Sequence, residues 1–114
     1  MTIAKALAVL DEQKPNTATR EQKLAWLTKV ELEVLQFQGQ PPMGYDPETD
    51  PETVLLLPER FCDAYLYWKG AQIDLWNREY GGYNNLIILY NREMERFRAA
   101  FVAENRNVRG GFTL

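Results

Sequence analysis

Residues 19–42 read TREQKLAWLTKVELEVLQFQGQPP, and this stretch decides the fold class. It predicts a helix from Arg20 to Gln38. Thr19 and Gln22 have the spacing of a capping box, and Gly39 has the place of a C-terminal glycine before two prolines. Apolar residues recur at helical spacing along one face: Leu24, Leu27, Val30, Val34, Leu35 and Phe37. The charged residues are expected on the other side: Lys23, Lys29, Glu31 and Glu33.

Two more helices are predicted on either side of this one along the chain. A short helix covers Ile3–Gln13 and ends at Lys14-Pro15-Asn16, because proline cannot continue the hydrogen-bond ladder. A longer helix runs from Glu59 to Tyr80 and is apolar around most of its circumference, which is typical of a central helix. Within it, Gly70 is expected at a close helix crossing, and Gly81-Gly82 is expected to end it.

A fourth helix is predicted over Asn85–Glu104, with Asn84 as its N-cap. Its core stripe is Leu86, Tyr90, Met94, Phe97 and Phe101, and its outer residues are Arg92, Glu93, Glu95, Arg96 and Arg98. The connection Gly81–Tyr83 is short, so the third and fourth helices should form an antiparallel pair. We therefore predict an all-α single domain over residues 1–114, a helical bundle of three long helices plus a short N-terminal helix.

Residues 39–58 form a proline-rich acidic loop, with five prolines and four carboxylates. Asp50-Pro51-Glu52 resembles a helix start, so Pro51–Leu56 is expected to form one or two helical turns. The simplest interpretation of the loop is a solvated connector, and the alternative is a contact surface. At the other end, residues 105–114 are expected to be a flexible C-terminal tail.

The composition excludes several function classes. A chain of 114 residues fits one domain with one core. It has no histidine and one cysteine, which removes histidine-dependent triads, the tetrahedral zinc patterns and an internal disulfide. The net charge of -3 gives no overall attraction to nucleic acid or to an anionic membrane. No signal peptide or membrane-spanning segment is predicted.

No catalytic, cofactor-binding or metal-binding residues are predicted. Cys62 lacks a histidine base and lies among apolar residues, so it is interpreted as a buried, inert thiol. The carboxylates of the third predicted helix share no face: Asp63, Asp74 and Glu79. Prolines interrupt the alternation of Asp46, Glu48 and Asp50, which therefore does not match a calcium loop. The predicted helix and the turn after it carry a cluster of aromatic residues: Phe61, Tyr65, Tyr67, Trp68, Trp76, Tyr80 and Tyr83. Because this helix is not basic, we interpret the cluster as core and subunit-interface packing rather than a base-stacking platform.

The acidic loop and the C-terminal part of the chain carry charges of opposite sign. From Arg92 onward there are five arginines against three glutamates, whereas the loop is acidic. This distribution suits head-to-tail contact between identical chains, and an intramolecular or solvated arrangement is equally open.

One stretch resembles a known family. Leu57–Trp68 (LPERFCDAYLYW), Ala71–Asp74 (AQID), Asn77–Asn85 (NREYGGYNN) and Tyr90-Asn91 are similar to small helical proteins encoded in the head-morphogenesis region of tailed phages and prophages. Arg20–Leu27 (REQKLAWL) looks like their first long helix. The similarity covers about residues 19 to 105. This chain departs from the pattern in its additional segment Met1–Gln13 and in its glycine-rich C-terminus.

The resemblance implies a non-catalytic virion structural protein, a head–tail connector or adaptor. Such a protein forms a homo-oligomeric ring beneath the portal, extends the DNA channel and contacts the portal and other neck or tail proteins. It needs no cofactor, membrane or specific nucleic-acid sequence, and it is found in the virion and, during assembly, in the bacterial host cytoplasm. We expect Arg106, Arg109 and Phe112 to contact neighbouring chains. Whether the free chain is a monomer stays open.

Two other classes compete with the connector. A cellular helical protein–protein interaction or regulatory module would have the same composition without a virion context. A DNA-binding regulator would need a basic recognition helix, and only the last predicted helix comes close.

Overall fold

The computed structural model describes residues 1–14 and 16–110, with side chains for all of these except Leu10 and residues 106–110. This part of the chain is all-α, as predicted. Its helices are α1 (Ile3–Gln13), α2 (Arg20–Gln38), α3 (Asp63–Trp76) and α4 (Tyr80–Gly110). A 3-10 turn, Glu59–Phe61, precedes α3. The described residues contain no strand, and an isolated antiparallel bridge pairs Thr2 with Val54.

Both ends of α2 are where the sequence places them. The Thr19 hydroxyl accepts a hydrogen bond from the Gln22 amide at 3.1 Å, and the Gln22 side chain accepts one from the Thr19 amide at 2.9 Å. Gly39 has a left-handed backbone with φ +70°. Its amide and that of the next residue donate to carbonyls of the last turn, which completes a Schellman motif. The predicted capping box and C-terminal glycine are therefore confirmed.

The predicted antiparallel pairing of the third and fourth helices is also confirmed. The rings of Phe61 and Phe97 are 5.8 Å apart, while Gly70 faces Leu86, so residue numbers rise along one helix as they fall along the other. A Cβ atom on Gly70 would lie 3.0 Å from Cδ1 of Leu86. The prediction of a close crossing at Gly70 is confirmed, because only a residue without a side chain leaves Leu86 in place.

The boundary between α3 and α4 differs from the prediction. The helix predicted over Glu59–Tyr80 is a 3-10 turn followed by the shorter α3, and Gly81-Gly82 lies inside α4 instead of ending α3. Arg78 takes the left-handed conformation, with φ 59°. Its amide donates to the Leu75 carbonyl at 3.1 Å and the next amide reaches the Asp74 carbonyl at 2.8 Å. Arg78 therefore closes α3 in the way that Gly39 closes α2.

The extent of α4 is also larger than predicted. It begins at Tyr80, so Asn84 is not its N-cap, and it has 31 residues, about 45 Å of helix at the usual rise per residue. It continues through Gly110, so the boundary predicted at Glu104 is wrong and residues 105–110 are helical rather than tail. The rest of the predicted tail, residues 111–114, lies outside the described residues.

The acidic loop, residues 39–58, has no helical turn among Pro51–Leu56, contrary to the prediction. Asp50 starts a turn whose Thr53 amide donates to the Asp50 carbonyl at 3.0 Å. The chain is then extended, so Leu55 and Leu57 are buried while the residues between and before them point outward. The loop is thus a packed segment and not only a solvated connector.

The N-terminus of α1 rests on the same loop. The amides of Ile3 and Ala4 donate to the carbonyls of Thr53 and Pro51, at 3.0 and 2.9 Å. These bonds satisfy first-turn donors that a helix cannot satisfy internally. The core below is formed by side chains from all four helices and the loop, including Ile3, Leu24, Leu27, Val30, Leu55, Tyr65, Met94 and Phe97.

Candidate protein-interaction surface

A buried carboxylate of α2 accepts hydrogen bonds from the acidic loop and from α3. Glu31 is fully buried, although the sequence places it on the outer face of α2. Its Oε2 accepts hydrogen bonds from the Tyr45 hydroxyl at 2.6 Å and from the Leu56 amide at 2.8 Å. Its Oε1 accepts one from the Tyr65 hydroxyl, which in turn accepts one from the Leu57 amide at 2.8 Å. A single side chain of α2 thus binds both ends of the loop and also α3.

These hydrogen bonds keep a carboxylate in the protein interior. Burial raises the pKa of the Glu31 carboxyl, and the hydrogen bonds from Tyr45, Tyr65 and Leu56 oppose that shift. Burial, together with Glu31, raises the pKa values of both tyrosines far above the ordinary range. All three donors are neutral, so each hydroxyl keeps its proton and keeps donating over the whole physiological pH range. The arrangement is suited to holding the loop in one conformation.

The outer side of the loop presents carboxylates in two tight turns. The carboxylates of Asp46 and Asp50 accept hydrogen bonds from the amides of Glu48 and Glu52, at 2.8 and 2.9 Å. Such turns fix the backbone locally. The side chains of Glu48 and Glu52 are exposed and form no ion pair within the described residues. Val54, 66% exposed, lies directly beside them.

A groove between α2 and α4, which we call the α2–α4 groove, is open on another side of the molecule. It consists of two adjoining cavities of about 320 and about 480 Å³ that share Phe37 and Arg98. Tyr90 and Met94 line the first, and Ala99 and Val102 line the second. Phe37 and Val102 are exposed large apolar residues, at 38% and 45%. Exposed apolar side chains gathered in a groove are typical of a protein contact surface.

Aromatic packing fixes the walls of the groove. Phe37 packs edge-on against Phe97 and Phe101 of α4, with ring centroids 6.3 and 5.6 Å apart. The Tyr90 hydroxyl donates to the carboxylate of Glu33, two residues beyond Glu31 on α2. Phe37 was predicted as a core residue and is instead shared between the core and this surface.

Two of the three glutamates in the last part of the chain form ion pairs with arginines of the same chain. Glu93, predicted to be outside, is only 6% exposed and pairs with Arg96 at 3.0 Å. Glu104 pairs with Arg60 at 2.9 Å. The Glu93–Arg96 pair leaves the net charge of α4 unchanged, whereas Glu104 neutralises an arginine outside α4.

Cys62 is buried, as the sequence predicts. Its Sγ lies 3.5 Å from the carbonyl oxygens of Leu57 and Pro58, and burial raises its pKa. A raised pKa keeps the thiol protonated and therefore a poor nucleophile.

The three carboxylates considered in α3 and beyond do not form a site. Asp63 and Glu79 are exposed, whereas Asp74 is buried and accepts from Lys14 at 2.5 Å. The space beside its other oxygen is the place where a side chain on Gly82 would lie. Asp74 therefore links the end of α1 to the first turn of α4. Across the described residues, no group of acidic or sulfur ligands has a metal-binding arrangement.

A second buried charge was also missed by the sequence analysis. Lys69 is fully buried and donates to the Ala6 carbonyl at 3.2 Å. Burial lowers its pKa to about 8.

Three residues near the C-terminus were predicted to contact neighbouring chains. Arg106 and Arg109 are within α4, whereas Phe112 lies outside the described residues. The predicted aromatic cluster divides in two: Phe61 and Tyr65 are buried in the core, and Trp76 and Tyr80 are each 58% exposed at the turn between α3 and α4.

Comparison of the chain with protein-family models, with curated proteins and with solved structures gives no match. None of the described helices combines the length and the apolar character that a bilayer span requires.

Two features were not predicted from the sequence, for different reasons: the α2–α4 groove and the Glu31 cluster, by which we mean Glu31 with Tyr45, Leu56 and Tyr65. The four consecutive apolar residues Val54–Leu57 were a usable signal that the loop returns to the core. The groove had no such signal, because its apolar residues match the pattern of an ordinary core-facing stripe.

Proposed function

We propose that this chain is a non-catalytic structural protein of a phage or prophage virion, a head–tail connector that assembles as a ring beneath the portal. The observation that carries the proposal is the α2–α4 groove, where exposed apolar side chains lie beside Arg98 and Glu33 and which no other part of the described chain fills. The resemblance of residues 57–91 to connector proteins supports the choice of assembly partner.

The internal chemistry is compatible with this role. The buried thiol and the buried carboxylates have intramolecular partners, and the raised pKa of Cys62 disfavours nucleophilic attack. The packed acidic loop and the long α4 provide separate surfaces, which a subunit between two neighbours requires.

Light scattering on the chain alone and mixed with the portal protein of the same genome tests the proposal. We expect the mixture to contain a complex whose mass exceeds that of the portal ring by several copies of this 13.3 kDa chain. Truncation of Arg106, Arg109 and Phe112 to alanine should weaken this complex. A mixture in which the two proteins remain separate contradicts the connector role.

A general helical interaction module remains the competing function. It would use the same groove, and gene neighbours separate the two cases: portal, terminase and capsid genes beside this one favour the connector.

A further inference from the structure

Lys69 of α3 is buried beneath α1. Its side chain is fully buried, and its Nζ donates to the Ala6 carbonyl of α1 at 3.2 Å. An ammonium group has three donors, and among the described residues one acceptor, this carbonyl, lies within hydrogen-bond distance. A carbonyl compensates a buried cation less than a carboxylate does, because it carries no net charge. The closed position of α1 is therefore costly whenever Lys69 is protonated.

Two charged groups on the helices packed around Lys69 act on it in opposite directions. Asp11 of α1 attracts the ammonium group, whereas Lys23 of α2 repels it. The Asp11 carboxylate is itself paired with Lys23 at 2.9 Å and also accepts from Asn16 at 3.1 Å. Burial outweighs the attraction of Asp11 and lowers the pKa of Lys69 to about 8.

On the side of the neighbouring Gly70, the charged groups pair with each other. The Cε atom of Lys14 would lie 3.7 Å from a Cβ atom on Gly70, and the Lys14 ammonium group pairs with Asp74. At the same place α4 presents the apolar Leu86. Among the described residues, the buried ammonium group of Lys69 therefore has no carboxylate bonded to it.

α1 is attached in a way that allows it to open separately from the rest of the described chain, residues 20–110, which we call the body. It has 11 residues, fewer than a helix needs to be stable alone in water. Among the described side chains, α1 contributes Ile3, Ala6 and Leu7 to the core, and the body supplies most of the others. The body therefore keeps a core of its own when α1 leaves, and α1 and the body can behave as separate cooperative units.

We propose that α1 is a protonation-coupled cover, which opens as a unit from the body and whose opening lets Lys69 bind a proton in water. In the open form, water solvates the ammonium group, and its pKa returns toward the ordinary value of 10.5. Between about pH 8 and that value the open form binds more protons than the closed form, so closure becomes more favourable as pH rises. Exposure of the apolar face of α1 therefore depends on pH. This device does not depend on the connector role.

The amino group of Met1 titrates in the same pH range with the opposite sign. It pairs with Glu59, and this hydrogen bond raises its pKa above the ordinary value of 8.0. Opening of α1 carries Met1 away from Glu59, so this group favours opening as pH rises. Each measurement therefore compares the chain with Lys69→Met, which removes the titration of Lys69 and leaves that of Met1 unchanged.

Protection of a single thiol measures the opening. In a Cys62→Ala background, Leu7→Cys places a thiol on the buried face of α1, and Val34→Cys, the matched control, places one in the core of the body. Each chain reacts with an aromatic disulfide reagent. The labelling rate, divided by the rate of the same chain unfolded in urea at the same pH, gives the open fraction and cancels the ionisation of the thiol.

We expect Leu7→Cys to be labelled at least about tenfold faster than Val34→Cys, with a weaker dependence on urea, because opening of α1 exposes less surface than global unfolding. Between about pH 7 and about pH 9.5, the open fraction of Leu7→Cys should fall about 25-fold relative to the same chain with Lys69→Met. Amide hydrogen exchange of the chain without a new cysteine is the second measurement. The amides of α1 should exchange before those of α2, and Lys69→Met should slow them.

Two labelling results overturn the proposal. One is equal protection of Leu7→Cys and Val34→Cys at every urea concentration, which would mean that α1 opens only when the whole chain unfolds. The other is a pH dependence of the opening that Lys69→Met leaves unchanged. If Leu7→Cys itself releases α1 and shows no protection, hydrogen exchange decides: amides of α1 and α2 that exchange together, or exchange in α1 that Lys69→Met does not slow, overturn the proposal.

Discussion

Glu31 and Asp74 are the two least exposed carboxylates among the described residues, and they have different partners. Glu31 is held by neutral donors, two tyrosine hydroxyls and a backbone amide, and no cation in the described part of the chain bonds to it. Asp74 is held by the ammonium group of Lys14, which is itself one-third exposed. A carboxylate bound only by neutral donors depends on several groups at once, whereas an ion pair depends on one partner. The first arrangement suits a site that must keep its shape, and the second suits a joint between helices.

The largest expected effect is the loss of Glu31. Glu31→Ala leaves two hydroxyls and an amide without their acceptor in the interior, and we expect it to lower the free energy of unfolding by about 3–5 kcal/mol. Urea denaturation followed by circular dichroism measures this. Glu33→Ala, two residues along the same helix, is the matched control and should cost about 1 kcal/mol. Equal costs for the two variants would remove the special role of Glu31.

Removing the partner of Asp74 should cost less. Lys14→Ala leaves a buried carboxylate unpaired, but water can approach from the side that Lys14 covers, so we expect a loss of about 2 kcal/mol. The same denaturation experiment applies, with Lys5→Ala as an exposed control on α1. A loss as large as that for Glu31→Ala would mean that the two carboxylates are equivalent.

The buried cation Lys69 extends the comparison to pH. Its pKa of about 8 in the folded chain lies below the value of 10.5 for a free lysine. Between these values Lys69 binds more protons in the unfolded chain, so its contribution to stability rises as pH increases. The thiol of Cys62 and the buried tyrosines, whose pKa values are raised on folding, contribute with the opposite sign, so the comparison is made with Lys69→Met. We expect the stability of the wild-type chain relative to Lys69→Met to increase by about 1.5 kcal/mol between pH 8 and about pH 9.5. A difference between the two chains that stays constant over this interval would contradict the assignment.

Asp74 also explains why two adjacent glycines should differ. Gly82→Ala places a methyl group against the Asp74 carboxylate, and we expect a loss of about 1 kcal/mol. Gly81→Ala meets open space and should be neutral or stabilising by up to about 0.5 kcal/mol, because alanine favours the helix. Thermal denaturation of the pair measures the difference. A difference of zero would show that Asp74 moves aside freely.

The smallest expected change in stability concerns the C-terminal ends of α2 and α3. Both ends are closed by a residue with a left-handed backbone, Gly39 in α2 and Arg78 in α3. Arg78→Gly removes the cost of a side chain at φ 59° and should stabilise the chain by about 0.5–1 kcal/mol. Gly39→Ala introduces that cost and should destabilise by about 1 kcal/mol. Melting temperatures that shift in the same direction would contradict this explanation.

Local signals in the sequence predicted the local features well. The capping box at Thr19 and the left-handed glycine at position 39 depend on residues within a few positions of each other. The prediction at Gly81-Gly82 was wrong, because a glycine that leaves room for a carboxylate, as Gly82 does for Asp74, cannot be told from the sequence apart from one that ends a helix. Arg78, with no sequence signal for a left-handed backbone, performs that closure instead.

The buried charges could not be predicted for a related reason. The partners of Glu31 are 14, 25 and 34 residues away, and Lys14 is 60 residues from Asp74. Helical periodicity assigns a charged residue to the solvent face unless its partner is known. The α2–α4 groove was harder to predict from the sequence, because the exposure of Phe37 depends on how far α4 covers the end of α2.

The shared oxygen of Glu31 has a consequence for the motion of the loop. Because Tyr45 and Leu56 bind the same Oε2 atom, movement of that carboxylate weakens the contacts at the beginning and at the end of the acidic segment together. The intervening residues then behave as one cooperative opening unit rather than fraying from either side. A partner that binds the closed segment would raise the free energy of this opening, so that binding and local folding would stabilise each other.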